Sequence, residues 1–517
     1  MFLLIMSLYL QSINSVKMKF RSIIFFSVGC FLISIFCLLS SCKKDTLITD
    51  SSAKLSFSTD TLRFDTAFTQ IGTAVYSFRV HNTHNQPINI SRAYLPGNNG
   101  KKTFFDMNID GYTGNDLKNI EIPANDSIYV FVRVTIDPNL PLSASPYVIN
   151  EDLVFETNGN TQKVVLEAWG QDANYIPSKS SNGKVAVLSG NGQEVVWGDS
   201  KPYVIYGILL LDNVKLTLPA GTRIHVHGGL AKNDSLGGRY NDGIIYVFPT
   251  AKLNVKGTKE KPVIFEGDRL EDDFKEESGQ WGGIILGAGS TDNVFEYATI
   301  KNSIIGIRVD SAASMNIKNS KIYNIAGNGI QASHAQIYGE NCLIYNCSSD
   351  ALRIVYGGNY EFNYCTMVSY GQDAIALKFS NTICYDQFCN NFRTNPLVTR
   401  FNNCIFFGSK VDQIDISNKL QDSKPQEIDY QFNNCVFRIR EILTQGNYQN
   451  FLSKTQNCIQ GTSLDRLFVK PDNDDYHLDS LSIADGKALP YPNINVDLEN
   501  VNRDAVKPDV GCFERIK

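Results

Sequence analysis

The sequence predicts an all-β protein in which a β-sandwich is followed by a right-handed parallel β-helix. Three observations carry this. Residues 53–175 break into apolar segments of strand length separated by turn signals, and residues 180–465 repeat a unit of about 22 residues. No helical 3.6-residue period runs through that repeat.

The first 41 residues stand outside the fold. Met18, the expected start, opens a segment with Lys19 and Arg21, then an apolar stretch from Ile23 to Leu39, then Leu39-Ser40-Ser41-Cys42. A short basic region, an apolar core and small residues form a secretory signal. The apolar core is also long enough for a membrane helix. Its ending decides between the two, because Leu-Ser-Ser-Cys resembles the bacterial lipobox. That resemblance implies cleavage before Cys42 and acylation of its sulfur. Residues 42–52, beginning with Lys43, Lys44 and Asp45, then serve as a lipidated tether. The alternative is an uncleaved N-terminal anchor, which keeps the membrane and loses the lipid. Residues 1–41 hold three basic and no acidic side chains, so without them the net charge moves from −5 to about −8. Such acidity argues against nucleic acid as a partner. Nine cysteines follow Cys42, an odd number without a C-x-x-C pair, which is neither a zinc framework nor a dense disulfide scaffold.

Residues 53–175 contain Lys54–Ser58, Tyr76–Val80, Ile88–Ile90, Ser127–Val134 and Lys163–Glu167, each alternating or apolar at strand length. Turn signals such as Asn82-Thr83-His84-Asn85 and Asn158-Gly159 separate them. Short strands at this spacing make a β-sandwich. The order Phe78-x-Val80-x-Asn82, Pro87-Ile88, Asp126-Ser127, Asn158-Gly159, Gly170 resembles immunoglobulin-like domains of the abnormal-spindle/hydin type.

Two columns define the repeat. Small residues Ala298, Ser320, Cys342, Cys365, Cys404 and Cys435 recur at steps of 22, 22, 23, 39 and 31. Apolar residues Ile307, Ile330, Leu352, Ile375 and Ile414 recur at 23, 22, 23 and 39. Two columns sharing one period mark a solenoid whose coils bury their apolar faces against neighbours. Short strands and turns select a parallel β-helix, right-handed because parallel crossovers overwhelmingly are. The small column faces inward and stacks. The 39-residue step carries an insertion near Phe379 to Val398 that projects as a loop. In it, Cys384 and Cys389 are spaced to close a disulfide in an oxidising compartment.

Leu218-Pro-Ala-Gly-Thr-Arg-Ile224, Trp281-Gly-Gly-Ile-Ile-Leu286, Phe295-Glu-Tyr-Ala-Thr-Ile-Lys301 and Pro508-Asp-Val-Gly-Cys-Phe-Glu514 together resemble the right-handed parallel β-helix lipoproteins of Bacteroidetes, a pectate-lyase-like solenoid. Residues 466–517 match the segment that closes such proteins. The resemblance implies an outer-membrane lipoprotein, at the cell surface or on the periplasmic face, with a lipid-anchored membrane as its partner. It says little about chemistry, since fold alone is a weak warrant for function.

For chemistry, one column stands out. Asn328, Asp350, Asp373 and Asp412 each precede the second inward strand, and the outward positions that follow hold Gln331, Arg353, Ala376 and Asp415. A catalytic assignment pairs Asp350 with Asp373 beside Arg353. The bland assignment has Asn and Asp bonding to local backbone at a turn, and it also predicts recurrence at one corner. Along this column the Gly-His-Gly and paired Asp-Asp motifs of β-helix hydrolases are absent. His225 and His227 project from one strand face, without an evident third metal ligand. The acidic run Asp268–Glu277 lacks the alternating Asp order of a calcium loop. No cofactor is therefore expected, Ca²⁺ being the one weighed. Asp followed by Ser/Thr and then an aliphatic residue or Ala occurs seven times, from Asp45-Thr46 to Asp479-Ser480, where about two are expected. This resembles the O-glycosylation signal of exported Bacteroidetes proteins and implies Thr61, Thr66, Ser127, Ser235, Ser311 and Ser480 as acceptors; turn initiation explains the pattern equally. The expected function is a membrane-anchored lipoprotein presenting its β-helix to a glycan or envelope protein without catalysis. The alternative is a carbohydrate-active enzyme, a polysaccharide lyase or glycoside hydrolase, working on the β-helix face.

Overall fold

Strict alternation builds the first domain. In Ser127–Val134, Ile128, Val130, Val132 and Val134 are buried while Tyr129, Phe131 and Arg133 face water. A strand with that period hides one face only and needs a second sheet against it. In the computed structural model, which describes residues 46–68, 75–97, 103–135, 147–171, 173–176, 185–233, 238–270, 274–371, 373–417, 428–444 and 451–516, two five-stranded sheets meet that need. One holds Ser56–Phe57, Tyr76–His81, Ser127–Val134, Phe105–Ile109 and Tyr112–Thr113 in that order. The other holds Thr61–Phe68, Asn160–Gln171, Tyr147–Thr157, Ile88–Tyr94 and Asp116–Ile122. Phe64, Phe78, Phe105, Phe155 and Leu166 share the core between them. Asn174–Ile176 then pairs in parallel with Tyr203–Tyr206, so the chain passes from the sandwich into the first rung of a solenoid.

Among the described residues, the solenoid is two parallel sheets, one of seventeen strands and one of eleven. A regular coil crosses the larger sheet twice and the smaller once, as Leu352–Asn363 and Thr366–Ser369 do. The small column lies inside: Ala298, Ser320, Cys342, Cys365, Cys404 and Cys435 are all buried, and Cys458 prolongs the series. The Ala298 N–H donates to Ser320 Oγ at 3.0 Å, and the Cys365, Cys404 and Cys435 N–H groups each donate to the next Sγ at 3.4 Å. The residue before each member has a positive φ, between 47° and 56° from Tyr297 through Asn457. Asparagine tolerates that left-handed backbone, which explains the repeated Asn-Cys pair. The sharp corner brings successive backbones close and leaves room inside for small side chains alone.

The second column needs a correction. Ile307, Ile330, Leu352, Leu377 and Ile414 are register partners, so Leu377 stands where the period placed Ile375. The turn before it is two residues longer than its neighbours, and Ile375 sits in that turn, half-buried. The outward position that follows therefore belongs to Lys378, while Ala376 is buried.

The C-terminal segment lies along the flank of the smaller sheet. Leu467, Phe468, Tyr476, Val510 and Phe513 pack on Leu343, Tyr345, Val368, Ile405 and Phe407, which point outward from successive coils. Arg503 fastens it: its guanidinium donates to Asn341 Oδ1 at 2.8 Å and Gly511 O at 3.0 Å, meets Glu514 at 3.5 Å and lies 3.8 Å from the Tyr364 ring centroid. Among the described residues, helix is confined to the 3₁₀ turns Phe451–Lys454 and Pro471–Asn473, and no helix is long and apolar enough to cross a membrane. The export segment, Cys42 with the tether through Asp45, and Ser235 lie outside the described residues, as does the side chain of Thr66.

Candidate functional site

Register stacks charge on the open face of the larger sheet. Arg353, Lys378 and Asp415 are Cα partners on three neighbouring strands, and their side chains alternate with the buried Leu352, Ile354, Leu377, Phe379, Ile414 and Ile416. The turns that enter those strands carry Asp350, Asp373 and the pair Lys410 and Asp412. Floor and turns together line a cavity of about 420 Å³. Three ion pairs cross it: Arg353 Nη1 to Asp350 Oδ2 at 3.5 Å, Lys378 Nζ to Asp415 Oδ2 at 2.6 Å, and Lys410 Nζ to Asp373 Oδ1 at 2.8 Å.

The four carboxylates are not equivalent. Asp350 keeps only 12% of its side chain exposed, and burial raises its pKa above the ordinary carboxylate value against the pull of Arg353, Lys378 and Lys410. The charge of Asp415 pushes in the same direction as burial. Asp373 is 95% exposed and reaches the cleft from its rim. Asp412 accepts the backbone N–H groups of Arg440, Glu441 and Ile442 at 2.5, 3.1 and 3.1 Å, a structural duty. Asn328 likewise takes the Asp350 N–H at 3.1 Å.

Asp350 and Arg353 thus meet as direct neighbours, and Asp373 joins the same cleft from solvent. The carboxylate whose charge helps to raise the Asp350 pKa is Asp415. Lys378 and Lys410 were missed by the sequence reasoning. A signal for Lys378 exists, since Leu377-Lys-Phe repeats the apolar–cation–apolar order of Leu352-Arg-Ile.

The remaining candidates lie elsewhere. His225 and His227 do share one face, on the smaller sheet, but each meets its own carboxylate: Glu266 at 3.5 Å from His225 and Asp268 at 2.7 Å from His227. Burial pushes His225 down to about 4 despite Glu266. Of the acidic run, residues 271–273 lie outside the description, and Glu276 is held by Lys301 and Asn324 at 3.1 and 2.9 Å. Among the described residues, no three His, Cys, Asp or Glu side chains are grouped to hold a metal ion. Cys384 and Cys389 form a disulfide, and Cys342, Cys365, Cys404 and Cys435 are free thiols in the core. Ser480 is exposed, and Thr61, Ser127 and Ser311 are half-buried.

Stacked parallel coils with an open, charged sheet face make the second domain a parallel β-helix. Residues 190–377 match the family model described as a pectate-lyase like beta helix domain. No curated protein matches the chain. Among solved structures, pectate lyase Pel9A is similar at 13% identity over 67% of this chain and 88% of that one, with a TM-score of 0.32. A point mutant of the periplasmic alginate epimerase AlgG is similar at 11% identity over 53% and 78%, with a TM-score of 0.22. A Porphyromonas gingivalis W83 protein of unknown function is similar at 13% identity, with a TM-score of 0.17; the match takes in 22% of this chain and only 46% of that one.

Proposed function

We propose that this protein is a carbohydrate-active enzyme whose site is the cleft over Arg353, Lys378 and Asp415. The observation that carries the reading is the buried Asp350, its pKa raised, beside Asp415 in an open cleft on a β-helix face. A carboxyl held toward its protonated form is suited to give a proton to a glycosidic oxygen, and a second carboxylate in the same cleft is suited to activate water or stabilise positive charge on the sugar ring. Arg353, Lys378 and Lys410 can exchange their aspartate partners for the carboxylates of a sugar acid, so an acidic polysaccharide is the substrate class to test first. The test is turnover on acidic and neutral polysaccharides, with and without Ca²⁺. Activity on an acidic chain, lost in Asp350→Asn and Asp415→Asn while the fold persists, is the expected result. Absence of turnover across the panel overturns it.

One observation favours a second reading, non-catalytic glycan display. Each of the four carboxylates already has a partner, a cation for Asp350, Asp373 and Asp415 and the backbone of a turn for Asp412. Glycan binding without turnover would be its mark.

The setting proposed for either activity is the envelope of a Bacteroidetes-type cell, with an immunoglobulin-like sandwich as spacer and acyl chains on Cys42 as anchor. Support for the anchor is the Leu39-Ser-Ser-Cys42 motif behind its basic and apolar segment. Changing Cys42 to Ala should release the protein from the membrane fraction, whereas unchanged retention favours an uncleaved helix. Protease treatment of whole cells separates the surface from the periplasmic face. Glycan on the exposed Ser480 would be found by mass spectrometry and lost in Asp479→Ala.

A further inference from the structure

The insertion after Phe379 is a built arm. Thr382–Cys384 and Phe392–Thr394 pair antiparallel, and the Cys384–Cys389 disulfide closes the tip. Inside that tip the Asp386 carboxylate accepts the backbone N–H groups of Phe388 at 3.0 Å, Asn390 at 3.1 Å and Asn391, while the Tyr385 N–H donates to Asn391 O at 2.8 Å. The base is equally tight. The Asn395 N–H donates to Asn381 O at 3.0 Å and the Gly358 N–H to Pro396 O at 2.9 Å. Gly357, at φ +77°, leaves no room for a Cβ, which would fall 2.5 Å from Asn395 O.

This rigid tip holds two aromatic rings in water. Phe388 is 75% exposed and Tyr385 56%, with the Arg393 guanidinium 5.8 Å from the Tyr385 ring centroid. Neither ring contributes to a core of the described residues. The place of the arm is informative. Within its coil, the turn bearing Asp373 enters the strand Leu377–Ser380, Lys378 faces the cleft, and the arm leaves from the far end of that same strand. Turn and arm therefore border the charged floor on opposite sides. Lys378 and Thr382 are four residues apart, about 13 Å of extended chain.

We propose that the arm of residues 381–396 is a sugar-stacking subsite, in which Tyr385 and Phe388 pack against a ring of the same polysaccharide whose charged groups lie over Arg353 and Lys378. This rests on the carbohydrate-active reading of the cleft. The C–H face of a pyranose is apolar while its rim is polar, which matches exposed rings beside Arg393 and the amides of Asn390 and Asn391. Pre-ordering by the disulfide and Asp386 removes most of the entropy that a flexible loop would lose on binding.

Calorimetry of the full chain with oligogalacturonate and oligomannuronate, in short lengths that fill only the cleft and longer ones that reach the arm, tests this. Wild type, Tyr385→Ala, Phe388→Ala, the double variant, Phe388→Trp and Lys378→Ala are compared. Each ring removed should weaken the long oligomers about three- to tenfold and leave the short ones unchanged, with Phe388→Trp restoring affinity. Both rings are exposed, so unfolding temperatures should match wild type. If the double variant binds long oligomers like wild type while Lys378→Ala weakens them, the arm is not a subsite and the cleft reading stands. If wild type binds neither oligomer, the acidic-substrate reading of the cleft falls and the arm proposal falls with it. Binding to anionic lipid vesicles that is lost in the double variant, in place of oligomer binding, would assign the arm to a membrane and overturn the proposal.

Discussion

The two outer faces of the solenoid are made by the same coils and have opposite fates. On the smaller sheet the outward positions from Leu343 to Phe407 are largely apolar, and the C-terminal segment covers them, with Tyr323 and Tyr345 stacked 4.9 Å apart beside it. On the larger sheet the same kind of position carries Arg353, Lys378 and Asp415, and no segment of the described chain lies across the cavity they floor. The inward faces hardly differ, since both supply Ile, Leu, Val and Phe to one core. Outward side chains thus divide the surface into a face kept for the chain itself and a face kept for something else. Apolar area is stabilising only when covered, at roughly 25 cal/mol per Å², whereas paired charges are tolerated in water.

The strongest way to break this comparison is to lift the cover. Arg503 retains 2% of its side-chain exposure, and Arg503→Ala would leave Glu514 buried without its cation. A loss of about 3–5 kcal/mol is expected, read as a lower unfolding midpoint together with proteolytic release of residues 466–516. Unchanged protection of that segment would show that apolar packing alone holds it. Next comes the shared core. Cys404→Leu places a branched side chain in the small column between Cys365 and Cys435 and should cost about 1–3 kcal/mol. Cys404→Ala should cost less, and equal melting temperatures for the two would mean that the corner has room to spare.

The charged face should respond to pH where the covered face does not. Burial raises the Asp350 pKa on folding, so the folded state holds this proton above the pH at which the unfolded chain releases it. The associated stability is complete below the ordinary carboxylate value, about 4, and is lost as pH rises through the raised folded value. Relative to wild type, Asp350→Asn should therefore gain stability as pH rises above about 4. Denaturant titrations across that range check the sign, and a pH-independent difference would show that Asp350 is not perturbed. The smallest effect on stability is expected at Lys378→Ala. Its pair with Asp415 is half-exposed and contributes roughly 0–1 kcal/mol. Any larger change in melting temperature would mean that this face supports the fold, contrary to its open design.

Much of the scaffold is legible in the chain alone. The Asn-Cys corner is readable because a left-handed turn and a cramped interior select both residue types together, at Asn341-Cys342, Asn403-Cys404 and Asn434-Cys435. Asp350 and Arg353 are likewise legible, because they precede and follow Leu352 at fixed offsets in a coil of regular length. The site blurs one coil later. A turn two residues longer shifts Ile375 out of its column, carries Asp373 to the rim and puts Lys378 on the floor. A period counted along the chain cannot show where inside a coil an extra residue is absorbed, since strand pairing fixes the strands and leaves the turns free.

The repeat, the two all-β parts and the inward column are local properties of the chain, because each follows from side-chain size and alternation within a few neighbouring residues. Tertiary structure alone decided that Lys378 stands between Arg353 and Asp415, that Asp412 bonds to the backbone of Arg440 to Ile442, and that residues near 467–513 cover one flank. Those outcomes depend on contacts between coils and between distant segments. Such contacts are set by register and by which apolar surface remains uncovered, and neither quantity is local to any stretch of the chain.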